Sequence, residues 1–128
     1  MDQSMVEKLI AKAKFASETA YCPNSEMPVG ACVLTQNGMV FTGCNIEISS
    51  YAGSLGAIEV ALSKAISEGA TSIRMVVNYC GSALFFPTGC EREFMKEFTS
   101  NATIICATDG HYEQFQMREL LPFSLKNN

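Results

Sequence analysis

Four side chains at the starts of two predicted helices are of types that could carry acid–base or nucleophilic chemistry: Glu59, Glu91, Glu93 and Cys90. The three carboxylates could form an acid–base cluster. Carboxylates in the first turn of a helix also complement its dipole, and the sequence favours that role here. Cys90 could be a nucleophile with a pKa lowered at a helix N-terminus. However, no histidine is close in sequence, and two phenylalanines follow it at helical spacing, so we expect Cys90 to pack in the core.

The cysteines and the histidine do not suggest a conventional metal site. The chain has six cysteines, none in a Cys-x-x-Cys pair, and His111 is its one histidine. Conventional zinc sites draw on cysteine and histidine clustered at short spacings, so the sequence predicts no metal and no other cofactor. We expect free thiols, mostly in the core. His111 follows the turn signal Asp109-Gly110, and we expect it to be solvated.

Composition and charge fit one α/β domain over residues 1–128. The 128 residues are 48% hydrophobic and 17% charged, which is enough to bury one core. A net charge of -4 argues against a nucleic-acid surface and favours a neutral or small polar ligand. The N-terminal residues lack a basic region followed by an apolar run, and no stretch reaches membrane-spanning length. The sequence therefore predicts a cytoplasmic protein with no membrane or nucleic-acid partner.

Hydrophobic periodicity and turn signals predict nine elements. Helices are predicted over residues 5–21, 54–68, 88–98 and 117–121, and strands over residues 29–35, 39–44, 72–78, 102–107 and 111–115. In the second helix, Leu55, Ile58 and Leu62 are expected on one buried face. This order predicts a three-layer α/β/α domain with a mixed five-stranded sheet.

Motifs along nearly the whole chain resemble the small tetrameric cytidine deaminases. In that family one helix carries Cys-Ala-Glu and a second opens with Pro-Cys-Gly-x-Cys-Arg-Gln, where this chain has Tyr51-Ala-Gly-Ser-Leu-Gly-Ala-Ile-Glu59 and Pro87-Thr-Gly-Cys-Glu-Arg-Glu93. Other landmarks follow in family order: Pro28-Val-Gly-Ala31, Phe41-Thr-Gly-Cys-Asn-Ile-Glu47, Ser50-Tyr51, Lys64-Ala-Ile-Ser-Glu-Gly69 and Glu119-Leu-Leu-Pro122. The resemblance implies the cytidine deaminase-like fold. It also implies a homotetramer in which neighbouring chains complete each pocket.

The resemblance also implies that the catalytic positions are altered. Gly56, Thr88 and Glu91 stand where the family has its three zinc ligands, and Ile58 stands where it has the proton-carrying glutamate. Zinc in such enzymes lowers the pKa of a bound water, and the glutamate moves its proton. Only Glu91 offers an anionic donor, so we assign no catalytic residue and no metal ligand. Ile58 is expected to fill apolar space.

An alternative alignment, shifted by one position, would make Glu59 the proton carrier and Cys90 a zinc ligand. One position along a helix rotates a side chain by roughly 100°. Both side chains would then point away from the pocket unless the helices turned, which would spoil the match at residues 64–69.

Asn45 and Glu47 stand where the family's nucleoside-binding residues stand. Residues two apart on a strand face the same side, and an amide with a carboxylate suits adjacent sugar hydroxyls. The same pair could instead cap a loop at the strand end. Met27 replaces the family's phenylalanine before Pro-Val-Gly and is predicted to line the same pocket. The family's base-stacking phenylalanine corresponds to Leu125, with Phe123 out of phase.

The leading interpretation is a zinc-free cytidine deaminase-like protein with a nucleoside-binding or regulatory role and a possible nucleoside ligand. One alternative is an active nucleoside deaminase or hydrolase with a rearranged site using Glu59, Glu91 or Cys90. The other is a structural subunit that assembles with an active relative.

Overall fold

The middle layer of the molecule is a five-stranded mixed sheet. The computed structural model describes residues 3–122. Within these residues, the third and fourth strands along the chain pair in parallel, and the other neighbouring strands pair antiparallel. The strands are β1 (Val29–Thr35), β2 (Val40–Cys44), β3 (Ile73–Cys80), β4 (Thr103–Thr108) and β5 (His111–Gln116), arranged in the order β2-β1-β3-β4-β5.

Helices cover both faces of this sheet. They are α1 (Gln3–Ser17), α2 (Ala57–Ser67), α3 (Gly89–Phe98) and the short α4 (Met117–Leu120), with a 3-10 turn at Tyr51–Gly53. α1 packs on one face, and α2, α3 and α4 contribute to the core on the other. The predicted three-layer α/β/α arrangement with a mixed five-stranded sheet is confirmed. Across residues 3–122, no helix is both long and apolar enough to cross a membrane.

Successive side chains of β1 point to opposite faces of the sheet and contribute to two separate parts of the core. Val29, Ala31 and Val33 point to the side of α2 and α3, whereas Cys32 and Leu34 point to the side of α1. All seven residues of β1 are buried, as expected for a central strand covered on both faces. This strand begins directly after the loop that carries Met27, so the packing of β1 fixes one end of that loop.

Two predicted helix boundaries are wrong because backbone pairing competes with the helices. α1 ends at Ser17 and not at residue 21, since Tyr21 forms a parallel bridge with Ile46. Leu55 forms an antiparallel bridge with the same residue, so α2 begins only at Ala57. Leu55 is consequently 47% exposed and does not belong to the buried face on which it was predicted.

Candidate active site

The first turns of α2 and α3 meet around one buried carboxylate, that of Glu91. Its Oε2 atom accepts a hydrogen bond from the backbone N–H of Ile58 at 3.1 Å. Its Oε1 atom accepts one from the backbone N–H of Thr88, also at 3.1 Å. Glu91 is 2% exposed. The side chain that the sequence placed at a zinc-ligand position is therefore engaged with backbone donors of both helices.

Gly56 lies directly against this carboxylate. A Cβ atom added to Gly56 would lie 2.2 Å from Oε2 of Glu91 and 2.5 Å from its Cδ atom. The structure thus brings Gly56 and Glu91 together, as their alignment with two ligand positions implied. The space into which a side chain at position 56 would project is filled by Glu91.

Thr88, at the third such position, caps α3. Its Oγ1 atom accepts a hydrogen bond from the backbone N–H of Glu91 at 3.1 Å. Together with the bond from the Thr88 N–H to the Glu91 carboxylate, this forms a capping box at the start of α3. Thr88 and Glu91 satisfy each other's backbone groups.

Burial and neighbouring charge raise the pKa of Glu91. Desolvation is the largest cause, and the nearby charge of Glu59 adds to it. Backbone hydrogen bonds from Thr88, Ile58 and Glu59 act in the opposite direction, since they stabilise the ionised form. The carboxylate of Glu59 itself accepts a bond from the backbone N–H of Gly56 at 2.6 Å. Glu59 and Glu91 thus lie in the first turns of their helices and accept backbone hydrogen bonds there, which fits the helix-dipole role expected from the sequence.

The neighbours of Glu91 separate into buried and exposed positions. Ile58 is fully buried, as predicted for an apolar filler. The prediction for Cys90 is wrong, because this thiol is exposed. α3 buries Glu91 and Met95, and one helical position rotates Cys90 away from that face. Glu93 is exposed as well.

These residues do not fit a zinc ion as a donor set. Gly56 has no side chain, the Thr88 hydroxyl caps a helix, and the Glu91 carboxylate is already hydrogen-bonded. Tetrahedral zinc requires three or four cysteine, histidine or carboxylate ligands. Among residues 3–122, no group of three or more His, Cys, Asp or Glu side chains could hold a metal ion.

Arg92 joins two segments beside the site, a role that was not predicted from the sequence. Its Nε atom donates to the carbonyl oxygen of Pro87 and its Nη1 atom to that of Leu120, both at 2.8 Å. The guanidinium thereby ties the loop before α3 to α4. The signal was available, because the family motif that resembles residues 87–93 carries arginine at this place.

The residues predicted to bind a nucleoside lie together at the start of β1. Oδ1 of Asn45 accepts a bond from the backbone N–H of Val29, and Nδ2 of Asn45 donates to the carbonyl oxygen of Met27, each at 2.9 Å. Asn45 is 9% exposed. Met27 is half-buried and packs against the core formed with α2. The amide thus holds the backbone on either side of Pro28.

Glu47 holds the loop that leads into β1. Its Oε1 atom accepts bonds from the backbone N–H groups of Asn24 and Ser25, both at 3.0 Å. Its pKa is lowered, chiefly by a side-chain hydrogen bond from Ser25 and then by the backbone bonds. Leu125, which corresponds to the family's base-stacking phenylalanine, and the nearby Phe123 both lie outside the described residues.

Comparison with known proteins identifies the family. A model described as "Cytidine and deoxycytidylate deaminase zinc-binding region" matches residues 3–108. The chain belongs to this deaminase family. A cytidine deaminase of Sporosarcina psychrophila is 37% identical over 120 residues, covering 91% of this chain and 88% of that protein.

Solved deaminase structures have the same fold. A cytidine deaminase from Burkholderia pseudomallei superposes with a TM-score of 0.89 at 29% identity, covering 98% of this chain and 100% of the other. The cytidine deaminase from Mycobacterium tuberculosis gives a TM-score of 0.80 at 29% identity, covering 94% and 98%. The predicted cytidine deaminase-like fold is confirmed by this similarity.

Proposed function

We propose that this member of the deaminase family holds no zinc, does not deaminate cytidine, and acts as a nucleoside-binding or regulatory protein. The observation that carries the proposal is the 2.2 Å separation between a Cβ atom at Gly56 and Oε2 of Glu91. A carboxylate lies where the resemblance expects a ligand side chain to reach the metal. The proton carrier is missing as well, since the resemblance places Ile58 at its position.

The direct test measures zinc and ammonia on the purified protein. Elemental analysis is expected to find no stoichiometric zinc, and incubation with cytidine or deoxycytidine is expected to release no ammonia. A zinc-containing cytidine deaminase assayed in parallel provides the positive control. Zinc at one ion per chain, or turnover above about 1 per second, would contradict the proposal.

The proposed ligand is a ribonucleoside or a similar polyol held near Asn45, Glu47 and Met27. In support, the three residues lie together at one end of β1, and their polar groups are fixed by backbone hydrogen bonds. Affinity is expected to be modest, because Met27 replaces an aromatic ring at a cost of about 1 kcal/mol per missing contact. Micromolar to millimolar dissociation constants follow from this reasoning.

Calorimetry with uridine, cytidine and ribose tests the ligand. Glu47→Gln is expected to weaken binding, whereas Glu97→Gln, which removes the same charge from an exposed position on α3, is expected to leave it unchanged. If none of the three compounds binds at millimolar concentration, Asn45 and Glu47 serve the loop alone.

The proposed assembly is a homotetramer. Its support is the resemblance of the segments around Tyr51 and residues 119–122 to the tetrameric enzymes, together with the exposure of Tyr51. Copurification of a second, zinc-containing chain would instead favour a structural subunit that assembles with an active relative.

The alternative of an active enzyme with a rearranged site would need Glu59, Glu91 or Cys90 as reacting groups. Glu59 caps its own helix and Glu91 is buried against two backbone donors. Loss of any observed ammonia release in Glu59→Gln, Glu91→Gln or Cys90→Ser would favour this alternative, and release that survives all three changes would leave it without a mechanism.

A further inference from the structure

The N-cap residue of α2 has no side chain that could cap the helix. This residue is Gly56, so the first backbone N–H groups of the helix need acceptors from elsewhere. Glu59 supplies one acceptor from within the helix, to the N–H of Gly56. Glu91 supplies another from α3, to the N–H of Ile58. α2 is therefore capped in part by a different helix.

The same carboxylate also caps α3. Oε1 of Glu91 accepts a hydrogen bond from the N–H of Thr88, and Oε2 accepts one from the N–H of Ile58. Each oxygen thus binds the N-terminus of a different helix. Both helix N-termini carry a partial positive charge, which favours an anion between them. Burying a carboxylate is costly unless its oxygens are hydrogen-bonded, and both oxygens of Glu91 are.

We propose that the Glu91 carboxylate joins α2 to α3 in place of a metal ion. In a metal centre, side chains of both helices would converge on a cation. Here, backbone donors of both helices converge on an anion, and a Cβ atom at position 56 would overlap that anion and displace it. The inference rests on the absence of zinc in the proposed function, concerns what holds the two helices together, and assumes nothing about a nucleoside ligand.

A double-mutant cycle between positions 56 and 91 tests this joint. Gly56 has φ −80° and ψ 159°, which alanine adopts without strain, so the cost of Gly56→Ala combines the usual preference for glycine over alanine at an N-cap with the contact with Glu91, and the cycle separates the two. Gly56→Ala is expected to lower the melting temperature by about 5 °C or more in the natural background. In a Glu91→Ala background the same change is expected to cost much less, because the obstructing carboxylate is gone.

Gly89→Ala is the matched control. Gly89 is the first residue of α3, and a Cβ atom there would meet nothing within 4 Å. This variant is expected to leave the melting temperature nearly unchanged in both backgrounds. Equal losses from Gly56→Ala with and without Glu91 would overturn the proposal.

Amide hydrogen exchange provides a second measurement that needs no Glu91 variant to fold. The N–H groups of Ile58 and Thr88 are expected to exchange slowly in the natural protein and in Gly89→Ala, and faster in Gly56→Ala. If the exchange rates of both amides are the same in Gly56→Ala as in the natural protein, the proposed link between α2 and α3 through Glu91 is wrong. Ammonia release from cytidine would overturn the proposed function and would leave these exchange rates unaffected, so the two failures are distinguishable.

Discussion

The Glu47 carboxylate stabilises its loop most strongly while it is ionised, because it then accepts charge-assisted hydrogen bonds from Asn24 and Ser25. These bonds lower its pKa in the folded protein. For an acid with a lowered folded pKa, the stabilisation is complete above the unfolded value of about 4.3 and is lost as the pH falls through the folded value. We therefore expect Glu47→Gln to be less stable than the natural protein near pH 7, with the difference shrinking as the pH falls below about 4.3 toward the lowered folded value.

Urea unfolding midpoints measured across this pH range would check the prediction. Glu97→Gln is the charge-matched control and is expected to change the midpoint little at any pH. A Glu47→Gln deficit that persists undiminished in acid would show that shape, and not ionisation, determines the contribution of Glu47.

The cysteines should differ sharply in reactivity. Cys90 is exposed on α3, whereas burial raises the pKa of Cys32 to about 11 and that of Cys106 to about 12. Because the thiolate is the reacting species, iodoacetamide at pH 8 is expected to modify Cys90 and to spare Cys32 and Cys106. Mass spectrometry after a short reaction would check this, with urea-unfolded protein as the fully labelled control. Labelling of Cys106 in the folded state would contradict the burial of β4.

At the scale of elements, two glycines allow the helices to approach the sheet. A Cβ atom at Gly30 would lie 1.8 Å from the carbonyl oxygen of Ala13 in α1. One at Gly43 would lie 2.6 Å from the backbone nitrogen of Ala61 in α2. Both contacts are with backbone atoms, so relief would require a whole helix to move.

Gly30→Ala and Gly43→Ala are each expected to reduce the free energy of unfolding by about 1–3 kcal/mol, the usual cost of overpacking a dense core. Gly89→Ala, which meets no neighbour, is expected to stay within about 0.5 kcal/mol of the natural protein. Urea unfolding of the three variants is the measurement. A neutral Gly30→Ala would show that α1 can shift away from β1 at little cost.

The order and type of the elements could be predicted because hydrophobic periodicity and turn residues are local. β1 was predicted at its observed bounds, and β5 differs by one residue. The last residue of α1 and the first residue of α2 could not be predicted, since they depend on the bridges that Tyr21 and Leu55 make with Ile46. Pairing between segments that are distant in sequence overrides the helical pattern there.

The candidate site shows the same division. The alignment of Gly56, Thr88 and Glu91 with ligand positions was readable from the sequence, as was the burial of Ile58. The hydrogen bond from Ile58 to Glu91 was not, because it depends on the distance between two helices. Cys90 was misplaced for a related reason: the adjacent Glu91 takes the buried face of α3, which no rule for charged residues would favour.

At the scale of the whole molecule, the chain leaves apolar side chains uncovered between β2 and α2. Tyr51 is 85% exposed, and Ile48 and Leu55 are each 47% exposed. Tyr51 lies in the 3-10 turn between these two elements. Apolar groups exposed close together in sequence are typical of a protein–protein contact.

We expect the purified protein to be a closed oligomer with a mass near four times the 13.9 kDa of one chain, because symmetric assembly would cover this segment. Tyr51→Lys should shift the assembly toward smaller species, since a lysine ammonium is costly to bury in an apolar contact. Light scattering at micromolar concentration is the measurement. The control is Phe15→Lys, which also replaces an exposed aromatic side chain by lysine. Phe15 lies on α1 and is 73% exposed, and this change should leave the mass of the assembly unchanged. A 13.9 kDa monomer for the natural protein would contradict the tetramer and would leave the loop around Asn45 and Glu47 without a neighbouring chain.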